Sequence, residues 1–160
     1  MRYIPKLYLE TTIFNFYYVD KDSKKKDDTH KLFDAIKKGK YEVYTSWYVQ
    51  DEIARDAPEK YKKMQSLLEK YAQDIVSFND EADDLAEIYI KNKIIPLKYK
   101  TDALHIATAT VNRLDFVVSF NFGHIVKPKT MIGAGFANLH RGYRQIGLCT
   151  PTEVLEYDCN

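Results

Sequence analysis

Two cysteines in 160 residues, Cys149 and Cys159, with no Cys-x-x-Cys and no paired-histidine spacing, leave nothing from which to build a zinc site or a disulfide framework. No apolar run approaches membrane-spanning length. Met1 to Leu9 carries charge and a proline in place of a long apolar stretch, so no signal peptide is expected and a cytoplasmic protein is. No Gly-rich phosphate loop follows the first predicted strand. Glu10-Thr11-Thr12 stands there instead, which argues against a dinucleotide-binding enzyme. A P-loop Gly-Lys-Ser/Thr is missing, as is a Cys-His or Ser-His arrangement for nucleophilic catalysis. No internal repeat or low-complexity segment occurs. One absence is local: Phe116 to Thr152 contains no Asp or Glu, although the chain has 23 acids.

What is present describes a globular chain. A length of 160 residues, 45% of them hydrophobic, with a net charge of +1, fits one domain over residues 1–160 with a real core. The acid-free window holds Lys127, Lys129, Arg141 and Arg144, with Phe136 and Tyr143 among them. Such a surface suits a phosphate backbone, and it equally suits an ordinary solvated face.

The chain is organised around Lys100 to Val126. Ala103, Leu104, Ile106, Ala107, Ala109 and Val111 make a helix apolar on nearly every face, which belongs in a core. It opens with Asp102, after the N-cap candidate Thr101. Asn112, Arg113 and Asp115 mark a turn. Phe116 to Phe120, broken only by Ser119, reads as a strand covered on both faces. Asn121 and His124 follow it. Asp102 has two readings: a functional carboxylate, or an acid favoured by the helix dipole.

Before this stretch, Lys6 to Leu9 reads as a strand ending at Glu10, and Ile13 to Val19 as the start of a helix. Asp20 to Asp28, with Lys24, Lys25 and Lys26, reads as a charged loop. A helix carrying Leu32, Phe33 and Ile36 stops at Gly39. Tyr41 to Thr45 is a second strand, and Ser46 caps a helix running through Val49, Glu52 and Ile53 toward Ala57-Pro58. Glu52 shares a face with the two apolar residues. Tyr61, Met64, Leu68 and Tyr71 give another amphipathic helix, and Ile75 to Phe78 a third strand. Asn79 or Asp80 opens a helix with Leu85, Ala86 and Tyr89 inward. Its Asp80, Glu81, Asp83, Asp84 and Glu87 read as charge that compensates the dipole. After His124, the Gly133/Gly135 region reads as a loop or a loosely packed helix start. Gly147 to Cys149 is a last strand, and Thr150-Pro151-Thr152-Glu153 has capping-box spacing. The alternation implies an α/β fold with a parallel sheet and helices on both faces.

In such sheets, sites form beyond the carboxyl ends of the strands. Glu10 and Asn121 follow the first and fourth strands, and Asp102 and Glu52 lie in early helical turns. If those two strands are neighbours, Glu10, Asp102 and Asn121 converge with Glu52 across from them. Three clustered carboxylates repel unless a cation joins them. Oxygen ligands without Cys or paired His select Mg2+ or Mn2+. Such a centre activates water for in-line attack on a phosphate.

The segments YLETT (Tyr8–Thr12), SWYVQDEI (Ser46–Ile53), DALHIATA (Asp102–Ala109), VVSFNFGHI (Val117–Ile125) and CTPTEVL (Cys149–Leu155) together resemble the PIN-domain family, and in particular its VapC-like toxin ribonucleases. DALHIATA, followed by a strand and the Asn-x-x-His turn, is the most specific part. The resemblance implies a three-layer α/β/α sandwich with a central parallel five-stranded sheet. It also implies divalent-metal-dependent cleavage of RNA phosphodiesters, an antitoxin protein as partner, and a homodimer. By the same resemblance Glu10, Glu52 and Asp102 stand at the family's first three acids, and Thr12 at the hydroxyl position after the first. Asn121 stands where many members have a fourth Asp, and brings a carbonyl oxygen without charge. Glu10, where Asp is usual, sets its carboxylate one methylene further out. The expected site is thus Glu10, Glu52, Asp102 and Asn121 for metal and catalysis, with Thr12, His124, Lys127, Lys129, Arg141 and Arg144 toward RNA. His124 reads as a phosphate contact or a structural histidine, Thr12 as an orienting hydroxyl or a cap, and His105 as a core histidine. The Asn121 departure also motivates a second reading: a PIN-fold module that binds RNA or protein without cleaving.

Overall fold

The computed structural model describes residues 2–56, 58–77 and 79–157. Ala57, Cys159 and Phe78, the expected end of the third strand, lie outside the described residues. Five strands form one all-parallel sheet: β1 (Lys6–Leu9), β2 (Glu42–Ser46), β3 (Ala72–Val76), β4 (Phe116–Val118) and β5 (Gly147–Cys149). Their order across the sheet is β3-β2-β1-β4-β5. The chain steps outward one way through β1, β2 and β3, then returns to the other side of β1 for β4. The expected neighbouring of the first and fourth strands is therefore met, and a crevice opens between their carboxyl ends. Leu7, Tyr8 and Leu9 are all fully buried. Successive strand residues point to opposite faces, so both faces of β1 are covered and the sheet is the middle of three layers.

Eight helices connect and cover the strands among the described residues: α1 (Thr11–Tyr18), α2 (Ser23–Lys37), α3 (Trp47–Asp56), α4 (Pro58–Tyr71), α5 (Asp80–Lys91), α6 (Lys100–Val111), α7 (Pro128–His140) and α8 (Pro151–Glu156). Their starts follow local chemistry. Asn79 Oδ1 accepts from Ala82 N–H at 2.8 Å, and Thr150 with Glu153 completes the capping box. Gly39, at φ +75°, ends the turn after α2 as expected. The buried apolar side chains form one continuous cluster.

Five expectations need correction. Lys24, Lys25 and Lys26 are helical, not in a loop, because Asp22 caps α2 one residue before it begins: its side chain accepts from Lys25 N–H at 3.1 Å. Thr101 does not cap α6. A 3₁₀ turn over Leu97–Tyr99 already winds the chain into the helix, and Thr101 is exposed within its first turn. The third strand starts at Ala72, earlier than Ile75, and the fourth stops at Val118, two residues before Phe120. Gly133 and Gly135 lie inside α7. A Cβ on Gly133 would sit 2.7 Å from Ile94 Cγ1, so that glycine serves close packing and not a turn.

α7 is fixed to α5 by a buried polar contact. Tyr89 Oη donates to Asn138 Oδ1 at 2.5 Å, and Asn138 Nδ2 donates to Thr110 Oγ1 on α6 at 3.3 Å. Tyr89 and Asn138 are both fully buried. Tyr89→Phe strands the Asn138 oxygen without a donor, which costs about 1–3 kcal/mol. A melting temperature lower by several degrees in a thermal scan is expected; an unchanged one contradicts this account of α7.

Candidate active site

β1 and β4 run in register, with Leu9 beside Val118, so the next residues on each, Glu10 and Ser119, meet at the carboxyl edge. Glu10 caps α1 and is almost fully buried, 3% exposed. Its Oε1 accepts three hydrogen bonds: from Ser119 Oγ at 2.6 Å, Thr12 Oγ1 at 2.6 Å and Thr12 N–H at 3.2 Å. Its Oε2 accepts none among the described residues. Burial lifts the Glu10 carboxyl above the ordinary range; the nearby His105 and the Ser119 and Thr12 bonds pull it back, and Glu52 pushes it further up. Thr12 thus holds Glu10 directly, and its Oγ1 also accepts from Phe120 N–H at 2.9 Å.

Glu52 arrives from α3, which leaves the carboxyl end of β2. Its Oε1 accepts from His105 Nε2 at 2.5 Å. His105 is fully buried on α6, and its Nδ1 meets Tyr8 Oη at 2.6 Å. Tyr8 Oη also meets Ser46 Oγ at 2.6 Å. A carboxylate oxygen only accepts, so Nε2 carries the proton toward Glu52. Burial alone would lower the His105 pKa, but the Glu52 hydrogen bond and the charges of Glu52, Glu10 and Asp102 outweigh it, and the net direction is upward. Burial raises the Tyr8 phenol well above its usual value, so it stays protonated.

Asp102 enters because α6 must run from the carboxyl edge back to the amino edge to feed the parallel β4. Its first turn therefore lies beside the crevice. Asp102 Oδ2 lies 3.1 Å from His124 Nδ1, and the His124 ring stacks on Tyr99 with centroids 3.6 Å apart. Burial raises the Asp102 carboxyl; His105 and His124 lower it, Glu52 raises it, and a hydrogen bond from the Asn121 side chain lowers it.

Asn121 is the hub of the loop after β4. Its N–H donates to Ser119 Oγ at 2.9 Å, its Oδ1 accepts from His124 N–H at 3.0 Å, and its backbone oxygen accepts from Ile125 at 3.2 Å and Val126 at 2.9 Å. With its side-chain oxygen taken, its NH2 is what faces Asp102. An aspartate here would add repulsion, so the missing charge of Asn121 has a positive role in the metal-free site.

The structure gathers Glu10, Thr12, Glu52, Asp102, Asn121 and His124 along one edge. Lys127 precedes α7 and Lys129 lies in its first turn, close in sequence to the loop. Arg141 and Arg144 are not brought there. They follow the far end of the 13-residue α7, about 20 Å along its axis. Arg144 reaches Asp115 Oδ1 at 3.5 Å and the Arg113 carbonyl at 2.7 Å, at the amino end of β4. Ser119, Tyr8 and Ser46 were not foreseen as site residues. Ser119 had a signal, as the single polar interruption of an apolar strand; Tyr8 had none.

Glu10, Glu52 and His105 each offer one ligand atom within 4.8 Å of the others. The fit to a hard divalent cation rests on the nearly buried Glu10 and on Glu52, whose Oε2 atoms take no donor among the described residues. His105, with both nitrogens engaged, suits the task of holding Glu52 better than that of a ligand.

No family model matches the sequence, and a search of curated proteins finds no match. Among solved structures, the chain is similar to one in the crystal structure of VapBC2 from Rickettsia felis bound to a DNA fragment from their promoter. The TM-score is 0.56 and the identity 14%, over 91% of this chain and 98% of that one. The fold is PIN-like. At that identity the likeness speaks for the fold alone.

A carboxyl held above its ordinary range opposes folding when charged. That cost is absent below the unfolded-state pKa and complete above the raised folded-state value. At neutral pH without metal, Asp102→Asn is therefore expected to leave the melting temperature unchanged or raise it. A fall of several degrees in chelated buffer would assign Asp102 a structural role.

Proposed function

We propose that this chain is a divalent-metal-dependent ribonuclease of the toxin-antitoxin type. The observation that carries the reading is the nearly buried Glu10, whose Oε2 takes no donor among the described residues, clustered with Glu52 and His105 at the switch point of a PIN-like sheet. Glu10, Glu52 and Asp102 would hold Mg2+ or Mn2+, and Asn121, its oxygens bonded within the loop, would orient Asp102 through its NH2 rather than join the shell as expected. When bound, the ion activates water and neutralises charge on a phosphate.

The chain's own groups do the rest. Ser119 and Thr12 fix the Glu10 rotamer, leaving its second oxygen toward the opening. His105, braced by Tyr8 and Ser46, fixes Glu52. His124, a quarter exposed beside Asp102, can donate to a phosphate oxygen of RNA from the mouth of the site. Lys127 and Lys129 flank the same loop and can follow the RNA backbone. Arg141 and Arg144 would meet RNA only along the length of α7.

A protein partner is supported by the neighbour, a VapBC2 assembly, and by the surface of α7. Ile132, Phe136 and Leu139 follow one another at i, i+4 and i+7 and are each more than half exposed. A contiguous exposed apolar stripe of that kind marks an interaction surface. An antitoxin or a second copy of the chain, forming a homodimer, would cover it. No helix among the described residues is long and apolar enough to cross a membrane. The second reading, a module that binds RNA or protein without cleaving, draws on Asn121, whose oxygens are already committed within the loop.

Cleavage of a mixed labelled RNA pool with Mn2+ separates the two readings. Wild-type protein is expected to cleave, EDTA to abolish cleavage, and Asp102→Asn to slow it by more than about 100-fold. RNA retention without Mn2+-dependent cleavage would favour the binding module.

A further inference from the structure

Lys25, in the first turn of α2, has an unusual environment for a helix-start lysine. Its ammonium lies 4.8 Å from the centroid of Phe16, 5.7 Å from that of Phe120 and 5.7 Å from that of Phe122. Phe16 meets Phe120 edge-on, centroids 5.1 Å apart, which closes the cage. Its ion-pair partner among the described residues, Asp22 Oδ2, is 3.8 Å away, long for a hydrogen-bonded pair. A groove of about 380 Å3 runs past Lys25, Phe120, Phe122 and the start of α8. Phe122 is 52% exposed and lies at the surface with its ring toward this cation.

The two caged loop residues flank Asn121. Phe122 N–H donates back to the Phe120 carbonyl at 3.0 Å, a tight turn with Asn121 at its centre. With both phenylalanines drawn to Lys25, the side chain between them is presented to His124 and Asp102. The Phe120 N–H is also the group bound by Thr12 Oγ1, which in turn holds Glu10. We propose that Lys25 is a positioning residue: caged by Phe16, Phe120 and Phe122, it clamps the loop after β4 from outside and so sets Asn121 against Asp102. The importance of that loop for catalysis rests on the nuclease reading; the clamp itself does not.

The mechanism is electrostatic attraction between a cation and ring faces, which Arg preserves and Met does not. Hydrogen exchange, measured on metal-free protein without RNA, reads it directly. Lys25→Met keeps the aliphatic stem. It is expected to speed exchange at the Phe120, Asn121 and His124 amides about tenfold, with α6 amides such as Ala107 unchanged, and Lys25→Arg is expected to restore protection. Should Lys25→Met fail to fold, Phe122→Leu, which removes one ring from an exposed position, carries the same expectation. Unchanged exchange at the three amides, an equal rise across α6 and the strands, or no rescue by Arg would overturn the clamp. Loosened amides in a protein whose wild type cleaves no RNA would leave the clamp standing and remove the nuclease reading.

Discussion

Glu10 and Glu52 meet with His105 at the carboxyl edge of the sheet, Asp102 stands in the first turn of α6 within the charge of Glu52 and His105, and most of the polar structure around them answers that crowding. Burial pushes both Glu10 and Asp102 toward their neutral forms, and Glu52 adds to each rise. A fold meets such a cost by surrounding each oxygen with donors, or by leaving room for a cation. This site does the first for one oxygen of each glutamate. Ser119 and Thr12 donate to one oxygen of Glu10, His105 to one of Glu52, and His124 and Asn121 lie at Asp102. The second oxygens of Glu10 and Glu52 take no donor among the described residues.

The support extends outward in layers. Behind Glu52 stands the buried chain of His105, Tyr8 and Ser46, contributed by α6, β1 and β2. Behind Asp102 stands the Asn121 loop, tied to Ser119 on one side and to Ile125 and Val126 on the other. The sheet order thus decides the chemistry: only with β4 beside β1 do Ser119 and Glu10 fall next to one another.

The architecture was legible because burial on two faces writes a plain signal. The apolar run from Phe116 and the all-round apolar helix from Ala103 could only be core, and alternating strands and helices imply parallel pairing. Other features were hidden for physical reasons. α7 carries glycines at Gly133 and Gly135 and reads as a loop or a loosely packed helix start; packing on Ile94 and the Asn138 bond to Tyr89, both tertiary contacts, support its helix. The charge window merged Lys127 with Arg144, because sequence proximity does not reveal that a helix separates them by its length. His105 was read as a core histidine, and it is one; its bond to Glu52 is a pairing across 53 positions that no local pattern encodes.

The central claim is that this edge of the sheet holds a divalent cation on its carboxylates. Mn2+ titration of metal-free protein, followed by calorimetry and by thermal melting, tests it without reference to any RNA. Binding to the folded state alone stabilises it by about 2.7 kcal/mol at a hundredfold excess over Kd. A saturable rise in melting temperature is predicted for the wild type and its loss in Glu10→Gln. No rise, or the same rise in the variant, would contradict the account.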